Sequence, residues 1–391
     1  RELEAAGKAL LNMGSYDGQA FAGALATGTH GSGGQLPALC DLVHSVDVLT
    51  VKEHDGQRRP VFVRVEGDDG PTHPEQFATW ARNQPHPWEL VQDTDKLRAM
   101  SVNLGCMGII TAMSLEVRDR FWLAEHRRVV GWRTVRRLVE AEAAFDDVWF
   151  ELLMNPYRAG AKGWLATTRQ VTDRTEIDVD RRQPKTLVNQ KRKGPTRTSR
   201  AVQSALKALG AGAMQGAMLA ASADRWASCS HKVLRLGTGR YVTAQACELA
   251  LPVEQFEEAV RAIRKLVRKH KFRKVQPFTS VIGVRFVHGG RSLIGHTAGE
   301  GTFVTFETPN LFRAWNGHGV ENLRAMYDTL FALGGRPHWG QLWWELDIPT
   351  MGDLYGEENV EIWGRMFAEM NPFGIFDNAF SDQLDVHQFR L

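Results

Sequence analysis

The sequence has few of the patterns that mark disulfide scaffolds, metal sites or nucleotide loops. Its four cysteines lie far apart and form no CxxC pair, which argues against a disulfide framework and a structural zinc site and favours a reducing compartment. It contains no HExxH, no EF-hand loop, no GxxxxGK[ST] and no GxSxG. We therefore expect no metal site, no P-loop and no serine-hydrolase elbow.

The sequence also has little net charge and no long apolar run. There are 48 Lys and Arg against 45 Asp and Glu, a net charge of +3, which is too weak a field to make nucleic acid the main partner. No uncharged apolar run is long enough to span a bilayer, and residues 1–14 are typical of an amphipathic helix rather than a signal peptide. These features predict a cytoplasmic protein that binds no nucleic acid.

One segment departs from this balance. Residues 181–200 carry eight Lys or Arg and no acidic residue, which is typical of a solvated, mobile loop. A helix rich in small residues follows it. The alternative to a mobile loop is that the basic run and this helix, residues 181–222, contact a membrane surface or an acidic partner.

The rest of the chain is typical of a packed protein with about two domains. Hydrophobic residues make up 43% of the 391 residues and charged residues 24%, close to the averages for globular proteins. Strand-like runs at 46–53, 60–66 and 108–117 predict an α+β first part. From about residue 120, helices predicted at 132–145, 251–270 and 320–333 alternate with strands, which indicates a sheet covered by helices on one side. The helix at 251–270 is the clearest, because apolar residues recur on one face at helical spacing: Val253, Phe256, Val260, Ile263 and Val267.

Two short segments are candidates for chemistry. The run ATGTHGSGG at 26–34 has four glycines, so its backbone N–H groups can approach a phosphate or a flavin closely, although a tight turn explains the run equally well. The run GGRPHWGQLWWE at 334–345 places Arg336 and His338 beside Trp339, as in the wall of a substrate pocket. Packing in a Trp-rich core is the simpler interpretation of this second segment alone.

Four separated segments match one family pattern in the same order along the chain. They are Gly14-Ser15 with Ala22-Gly23-Ala24 and residues 27–33, then SVNLGCMGIIT at 101–111, GGRPHWGQ at 334–341, and NPFGIFDNAF at 371–380. In these segments the chain resembles the aldonolactone oxidase and alditol oxidase group of the vanillyl-alcohol oxidase superfamily of flavoproteins. The matches cover almost the whole chain.

The resemblance implies an α+β flavoprotein of two domains with FAD as cofactor. The first part of the FAD-binding domain is expected at 1–119, a substrate-binding cap with an antiparallel sheet covered by helices at 120–349, and a return to the FAD-binding domain at 350–391. It also implies a further piece of that domain upstream, with a Gly-Ser-x-His loop, so covalent attachment of FAD stays open. The residues expected to hold FAD are Ser15, Ala24, Thr27, Gly28, Thr29, His30, Gly31, Ser32, Gly33, Gly105, Gly108, Ile109, Ile110 and Asn378.

The chain departs from the family pattern at two places. The E-x-R of a cap strand aligns with Gly283-Val284-Arg285, and the lysine that closes GGRPHWGK is Gln341 here. One negative and one positive side chain are thus absent together, which predicts an unchanged charge balance and weaker binding of a polyol. Trp343, Trp344 and Phe286 suggest a more apolar pocket, although core packing explains them as well.

The implied activity is oxidation of a CH–OH group, with hydride passing to FAD and oxygen or another acceptor completing the cycle. Arg285 is the expected electrostatic anchor and His338 the expected proton acceptor, with Gln341, Trp339 and Ser32 contacting the substrate. A sugar lactone or polyol is the first expectation; a bulky apolar alcohol such as a sterol, or a flavoprotein without catalysis, is the alternative. In each case the glycine-rich run and the His338 segment are expected to meet at one flavin.

Overall fold

A computed structural model describes residues 2–16, 18–54, 56–141, 145, 149–173, 211–222, 225–235, 245–272, 278, 280–310, 318–344 and 346–390. The basic segment 181–200 lies outside these residues. The described part is a mixed helix and sheet structure, which confirms the α+β prediction.

Fourteen strands are formed by the described residues. In chain order, β1 to β14 are Lys8–Ala9, Val43–His54, Gln57–Glu66, Trp88–Gln92, Ile109–Leu115, Arg118–Asp119, Trp122–Val130, Trp149–Met154, Trp164–Thr172, Arg225–Cys229, Gln245–Pro252, Ile282–His288, Thr302–Asn310 and Arg336–Pro337.

Twelve α-helices accompany them within the same residues. In chain order, α1 to α12 are Glu2–Ala5, Phe21–Ala26, Pro74–Ala81, Thr94–Ser101, Trp132–Glu140, Ala211–Ala221, Ser230–Leu234, Phe256–Phe272, His318–Phe331, Ile348–Tyr355, Glu357–Met370 and Ala379–Leu384. Short 3₁₀ turns occur at Leu39–Leu42, Val253–Gln255 and Val386–Arg390. None of these helices is both long and apolar enough to cross a bilayer.

The first sheet has four strands in the order β4-β3-β2-β5. Strands β3 and β4 are parallel, and the other neighbours are antiparallel. Val61, Val63 and Val65 of β3 are fully buried at every second position, which is the alternation expected of a strand with one face on a core. The strands predicted at 46–53, 60–66 and 108–117 all lie in this sheet.

The second sheet has eight antiparallel strands in the order β10-β7-β9-β8-β12-β13-β11-β14, which confirms the predicted antiparallel sheet. Helix α8 packs on one face of it, where Phe256 lies 6.0 Å from Phe286 of β12 and 6.2 Å from Phe306 of β13 between ring centroids. Val260 and Ile263 of the predicted apolar stripe are fully buried. The stripe therefore faces the sheet, as helical spacing predicts.

The last part of the chain packs against the first sheet and its connections. The Trp363 indole N–H donates to the Val102 carbonyl over 2.9 Å, and the Asn378 side-chain amide donates to the Leu104 carbonyl over 3.1 Å. These contacts agree with the expected return of residues 350–391 to the first part, while the domain boundaries themselves remain a prediction.

Candidate active site

The glycine-rich loop 27–33 and the His338 segment lie together, as predicted. The ring centroids of His30 and His338 are 5.9 Å apart. A third imidazole, His296, lies 4.8 Å from His30 and 4.7 Å from His338. A Cβ atom on Gly340 would stand 2.9 Å from the Thr27 hydroxyl, so the two segments are in direct contact.

Glycine is required in this loop because other backbone comes close to it. A Cβ atom on Gly31 would lie 2.0 Å from Asn12 Oδ1 and 2.7 Å from the Met13 carbonyl oxygen, far inside van der Waals contact. Gly28 has φ +74°, a left-handed conformation that residues with a Cβ rarely adopt. The Gly33 N–H donates to the Phe286 carbonyl over 2.6 Å and so fixes the loop beside β12.

Three adjacent strands bring an arginine and two carboxylates to this place. The register pairs Gly283 of β12 with Glu307 of β13, and Glu307 with Glu248 of β11. Arg285 is two residues from Gly283, so all these positions share one face of the sheet. Arg285 Nη1 lies 2.7 Å from Glu307 Oε2 and 3.5 Å from Glu248 Oε1.

Arg285 stays cationic in this setting. Burial acts to lower the pKa of its guanidinium, but Glu307, Glu248 and Glu151 raise it above its ordinary value. A second nitrogen, Nη2, lies 3.4 Å from the Ser15 hydroxyl. The predicted anchor Arg285 and the predicted flavin residue Ser15 are therefore neighbours.

Glu248 joins the groups of the site. Its carboxylate accepts hydrogen bonds from the Thr305 hydroxyl over 2.7 Å and from the Gln341 amide over 2.9 Å, and it lies 3.2 Å from His30 Nε2. Burial acts to raise its pKa, but the interactions with His30 and the charge of Arg285 hold that pKa well below its ordinary value. Glu248 is therefore an ionised, almost fully buried carboxylate that links these residues.

The three imidazoles have different surroundings. Both nitrogens of His30 face oxygen atoms, Nδ1 the Gly31 carbonyl at 2.7 Å and Nε2 the Glu248 carboxylate at 3.2 Å. His338 Nδ1 accepts the Gly340 N–H over 3.0 Å, so its proton is on Nε2. Burial lowers the pKa of His338 to about 4, and burial with the neighbouring imidazoles lowers that of His296 well below its usual range.

Arg285 also belongs to a row of charges that crosses the sheet. Its register partner on β8 is Glu151. Arg169 of β9 lies 2.7 Å from Glu151 and 2.7 Å from Glu125 of β7, and Arg127 lies 2.8 Å from Glu125. Alternating charges let each buried ion have a partner of opposite sign, which holds the Arg285 side chain over this face.

The site has polar atoms that the described residues leave without a partner. They are Thr29 Oγ1, both ring nitrogens of His296 and Gln341 Oε1. Buried polar atoms are normally hydrogen-bonded, so this set fits a ligand that offers several donors and acceptors. FAD does so through its flavin edge, ribityl hydroxyls and phosphates, and the residues present therefore fit it.

A metal is the other ligand that these imidazoles can hold. The nitrogen atoms of His30, His296 and His338 lie within 4.8 Å of one another. Both nitrogens of His30 already face oxygen atoms, of Glu248 and Gly31, and His338 Nδ1 already accepts the Gly340 N–H. The site as built therefore favours an organic ligand.

The second predicted flavin segment adjoins the loop. The Leu104 N–H donates to the Ala26 carbonyl over 3.0 Å, and Gly105 and Gly108 have φ of +70° and +111°. Ile109 is 56% exposed, which leaves an apolar surface beside these glycines. Ala24 is buried in α2 just before the loop and Ile110 is partly buried, so whether residues 105–110 and Asn378 touch FAD stays a prediction.

Two predicted substrate contacts do not fit the structure. Trp339 is fully buried and its indole donates to the Ile294 carbonyl over 2.6 Å, so it belongs to the core rather than to a pocket. The Ser32 hydroxyl donates to the Phe150 carbonyl of β8 and is occupied there. Phe286 and Trp343 are also buried, so core packing, not an apolar pocket, explains them.

Three residues of the site escaped the sequence analysis. Glu248 and Glu307 stand among apolar residues, in CELALP and TFVTFETP, and a lone carboxylate in a strand of a buried sheet was the available signal. His296 lies outside any regular element, and no pattern marked it.

Comparison with known proteins gives three kinds of match. The family described as D-arabinono-1,4-lactone oxidase matches residues 113–384. L-gulono-1,4-lactone dehydrogenases from two strains of Mycobacterium tuberculosis, CDC 1551 / Oshkosh and ATCC 25618 / H37Rv, are 26% identical over 389 residues, covering 95% of this chain and 75% of theirs. Among solved structures, cholesterol oxidase from Brevibacterium sterolicum has a TM-score of 0.67 at 12% identity, covering 98% of this chain and 78% of that one. A solvent-stable cholesterol oxidase has a TM-score of 0.69 at 13% identity with the same coverage, and both show the fold.

Proposed function

Because this chain belongs to the D-arabinono-1,4-lactone oxidase family, we propose that it oxidises a hydroxyl-bearing carbon of a sugar lactone at the site around Arg285. The chain is an FAD-dependent oxidoreductase. Bound FAD supplies the hydride acceptor for this chemistry. The arrangement of Arg285, Glu307, Glu248 and Gln341 beside the glycine-rich loop is the observation that carries the proposal.

The polar lining favours a hydroxylated substrate over a sterol. Arg285 offers guanidinium donors, Glu307 is a carboxylate acceptor, and Gln341 Oε1 has no partner among the described residues. Burying an apolar alcohol here would leave Gln341 Oε1 and the second carboxylate oxygen of Glu307 without hydrogen bonds, at roughly 1–3 kcal/mol for each. A sugar lactone satisfies them with its ring oxygens and hydroxyls.

Arg285 is proposed to stabilise negative charge. As the C–H bond breaks with its electron pair and the O–H proton departs, negative charge develops on the substrate oxygen, and a fixed cation in a dry site stabilises it. We expect Arg285→Ala to lower the rate of flavin reduction on the order of 100-fold. Arg261→Ala is the control, since it removes an exposed arginine of α8 that pairs with Glu257 outside the site.

His338 is proposed as a hydrogen-bond donor rather than the proton acceptor. Its Nδ1 lone pair is occupied by the Gly340 N–H, and its lowered pKa of about 4 makes the imidazole a weak base at neutral pH. Its Nε2–H has no hydrogen-bond partner among the described residues and can donate to a ligand oxygen. The substrate proton then leaves to a carboxylate or to water.

The test is anaerobic mixing of the purified flavoprotein with L-gulono-1,4-lactone, D-arabinono-1,4-lactone, xylitol and cholesterol. Bleaching of the flavin absorbance by a lactone, with none by the sterol, supports the proposal. Bleaching by cholesterol alone, or by none of the four while FAD is bound, overturns it. Acid precipitation of the same sample shows whether FAD is covalent, and repeating the turnover in air distinguishes oxygen from another acceptor.

A further inference from the structure

The site contains a carboxylate where the sequence suggested that one was absent. Gly283 provides no acidic side chain beside Arg285, but its partner across the ladder is Glu307. The Glu307 carboxylate lies 2.7 Å from Arg285 Nη1. A residue of the neighbouring strand thus supplies the negative charge next to the anchor.

The glycine at 283 makes this arrangement possible. A Cβ atom built on Gly283 would lie 3.4 Å from Glu307 Oε2 and 3.7 Å from Arg285 Nη1. A glutamate at 283 would therefore compete with Glu307 for the same space. The glycine and the glutamate across from it act as one unit that places a single carboxylate beside the guanidinium.

Glu307 differs from Glu248 in what it can still bind. The carboxylate of Glu248 already serves Thr305, Gln341 and His30, and its side chain is 3% exposed. The Glu307 side chain is 25% exposed, and among the described residues only its Oε2 has a protein partner. One carboxylate oxygen of Glu307 is thus left to accept a hydrogen bond from a small molecule.

We propose that Glu307 is the substrate-binding carboxylate of this enzyme and that it accepts a hydrogen bond from a hydroxyl group of the lactone held at Arg285. This inference rests on the proposed function. The guanidinium donates hydrogen bonds and the carboxylate accepts them, so together they match a substrate with a hydroxyl group close to a second oxygen atom. The pair therefore selects hydroxylated substrates against apolar alcohols. Glu248 holds the site together, and Glu307 contacts the ligand.

The experiment compares Glu307→Gln, Glu307→Ala and the double variant Gly283→Glu/Glu307→Ala, which moves the carboxylate onto β12. With L-gulono-1,4-lactone, we expect kcat/KM to fall about 10- to 100-fold in the two single variants, as for loss of a hydrogen bond to a charged group. In the double variant we expect at least about tenfold recovery, because the new side chain fills the vacated space beside Arg285. Glu300→Ala, on the exposed turn before β13, is the control and should match the wild type.

Two further readouts separate the possible failures. Flavin absorbance and the thermal midpoint report whether each variant is folded and holds FAD, and isothermal titration with the lactone under anaerobic conditions reports binding apart from turnover. If the wild type holds FAD but no lactone reduces it, the proposed function fails. If lactones reduce the wild type and folded Glu307→Ala stays within about threefold of it in kcat/KM, the inference about Glu307 fails while the function stands. Weakened binding in Glu307→Ala without recovery in the double variant also overturns the substrate-binding role.

Discussion

Replacing Glu248 with glutamine tests whether this carboxylate holds the site together. The variant keeps the size of the side chain but removes the negative charge that lies 3.2 Å from His30 Nε2 and 3.5 Å from Arg285 Nη1. The buried Arg285 then loses one of the three carboxylates around it and keeps Glu307 and Glu151. Removing one partner of a buried ion pair costs about 3–5 kcal/mol, so we expect Glu248→Gln to lower the free energy of unfolding at pH 7 by roughly that amount.

The measurement is urea unfolding followed by tryptophan fluorescence, with Glu89→Gln as the control. Glu89 pairs with Lys52 over 2.7 Å but its side chain is 40% exposed, and such pairs are worth roughly 0.2–1 kcal/mol. The pKa of Glu248 is depressed, so its contribution is fully present above its ordinary value of 4.5 and is lost as pH falls through the lower folded value. The free energy of unfolding should therefore differ from that of the wild type by the same amount at pH 5 and pH 7. A loss below about 1 kcal/mol at both would refute the idea that Glu248 holds the site together.

Two other changes have expected outcomes. His338→Gln should flatten the fall in stability below neutral pH. The folded pKa of about 4 is lower than the ordinary 6.5, so burial of the neutral imidazole costs the wild type up to about 3 kcal/mol of stability as pH falls from 6.5 to 4. Thermal midpoints that change equally with pH in both proteins would contradict this prediction. Gly31→Ala should displace the loop, because its Cβ would lie 2.7 Å from the Met13 carbonyl oxygen as well as 2.0 Å from Asn12 Oδ1, and should lower the ratio of flavin to protein absorbance. Gly23→Ala, where nothing lies within 4 Å, should leave that ratio unchanged.

The sequence predicts the helices and strands of this protein well wherever one face of an element is buried. The stripe on α8 and the alternation in β3 each reflect one face on a core, so periodicity identifies them. The glycines of loop 27–33 indicate that other groups come close to its backbone, because only glycine tolerates the positive φ and the nearby atoms. Its neighbour in space, the His338 segment, could be singled out because Arg336 and His338 stand beside Trp339, but only the family resemblance placed it at the flavin.

The carboxylates of the site could not be predicted in the same way. Which residue of β13 faces Gly283 depends on strand register, and a shift of one residue would turn Glu307 to the other side of the sheet. Trp339 was misassigned because an aromatic residue beside histidine has the same local sequence in a pocket wall and in a core. Its burial and its bond to Ile294 follow from tertiary packing.

The charge of Arg285 is already compensated, and this has a consequence for the substrate. Two carboxylates, Glu307 and Glu248, lie 2.7 Å and 3.5 Å from its Nη1. A guanidinium paired in this way attracts no further anion strongly, whereas an open sugar acid would need an unpaired cation for its own carboxylate. The arrangement thus suits an uncharged lactone ring. Gln341 fits the same arrangement, because its amide donates to Glu248 over 2.9 Å and adds no charge.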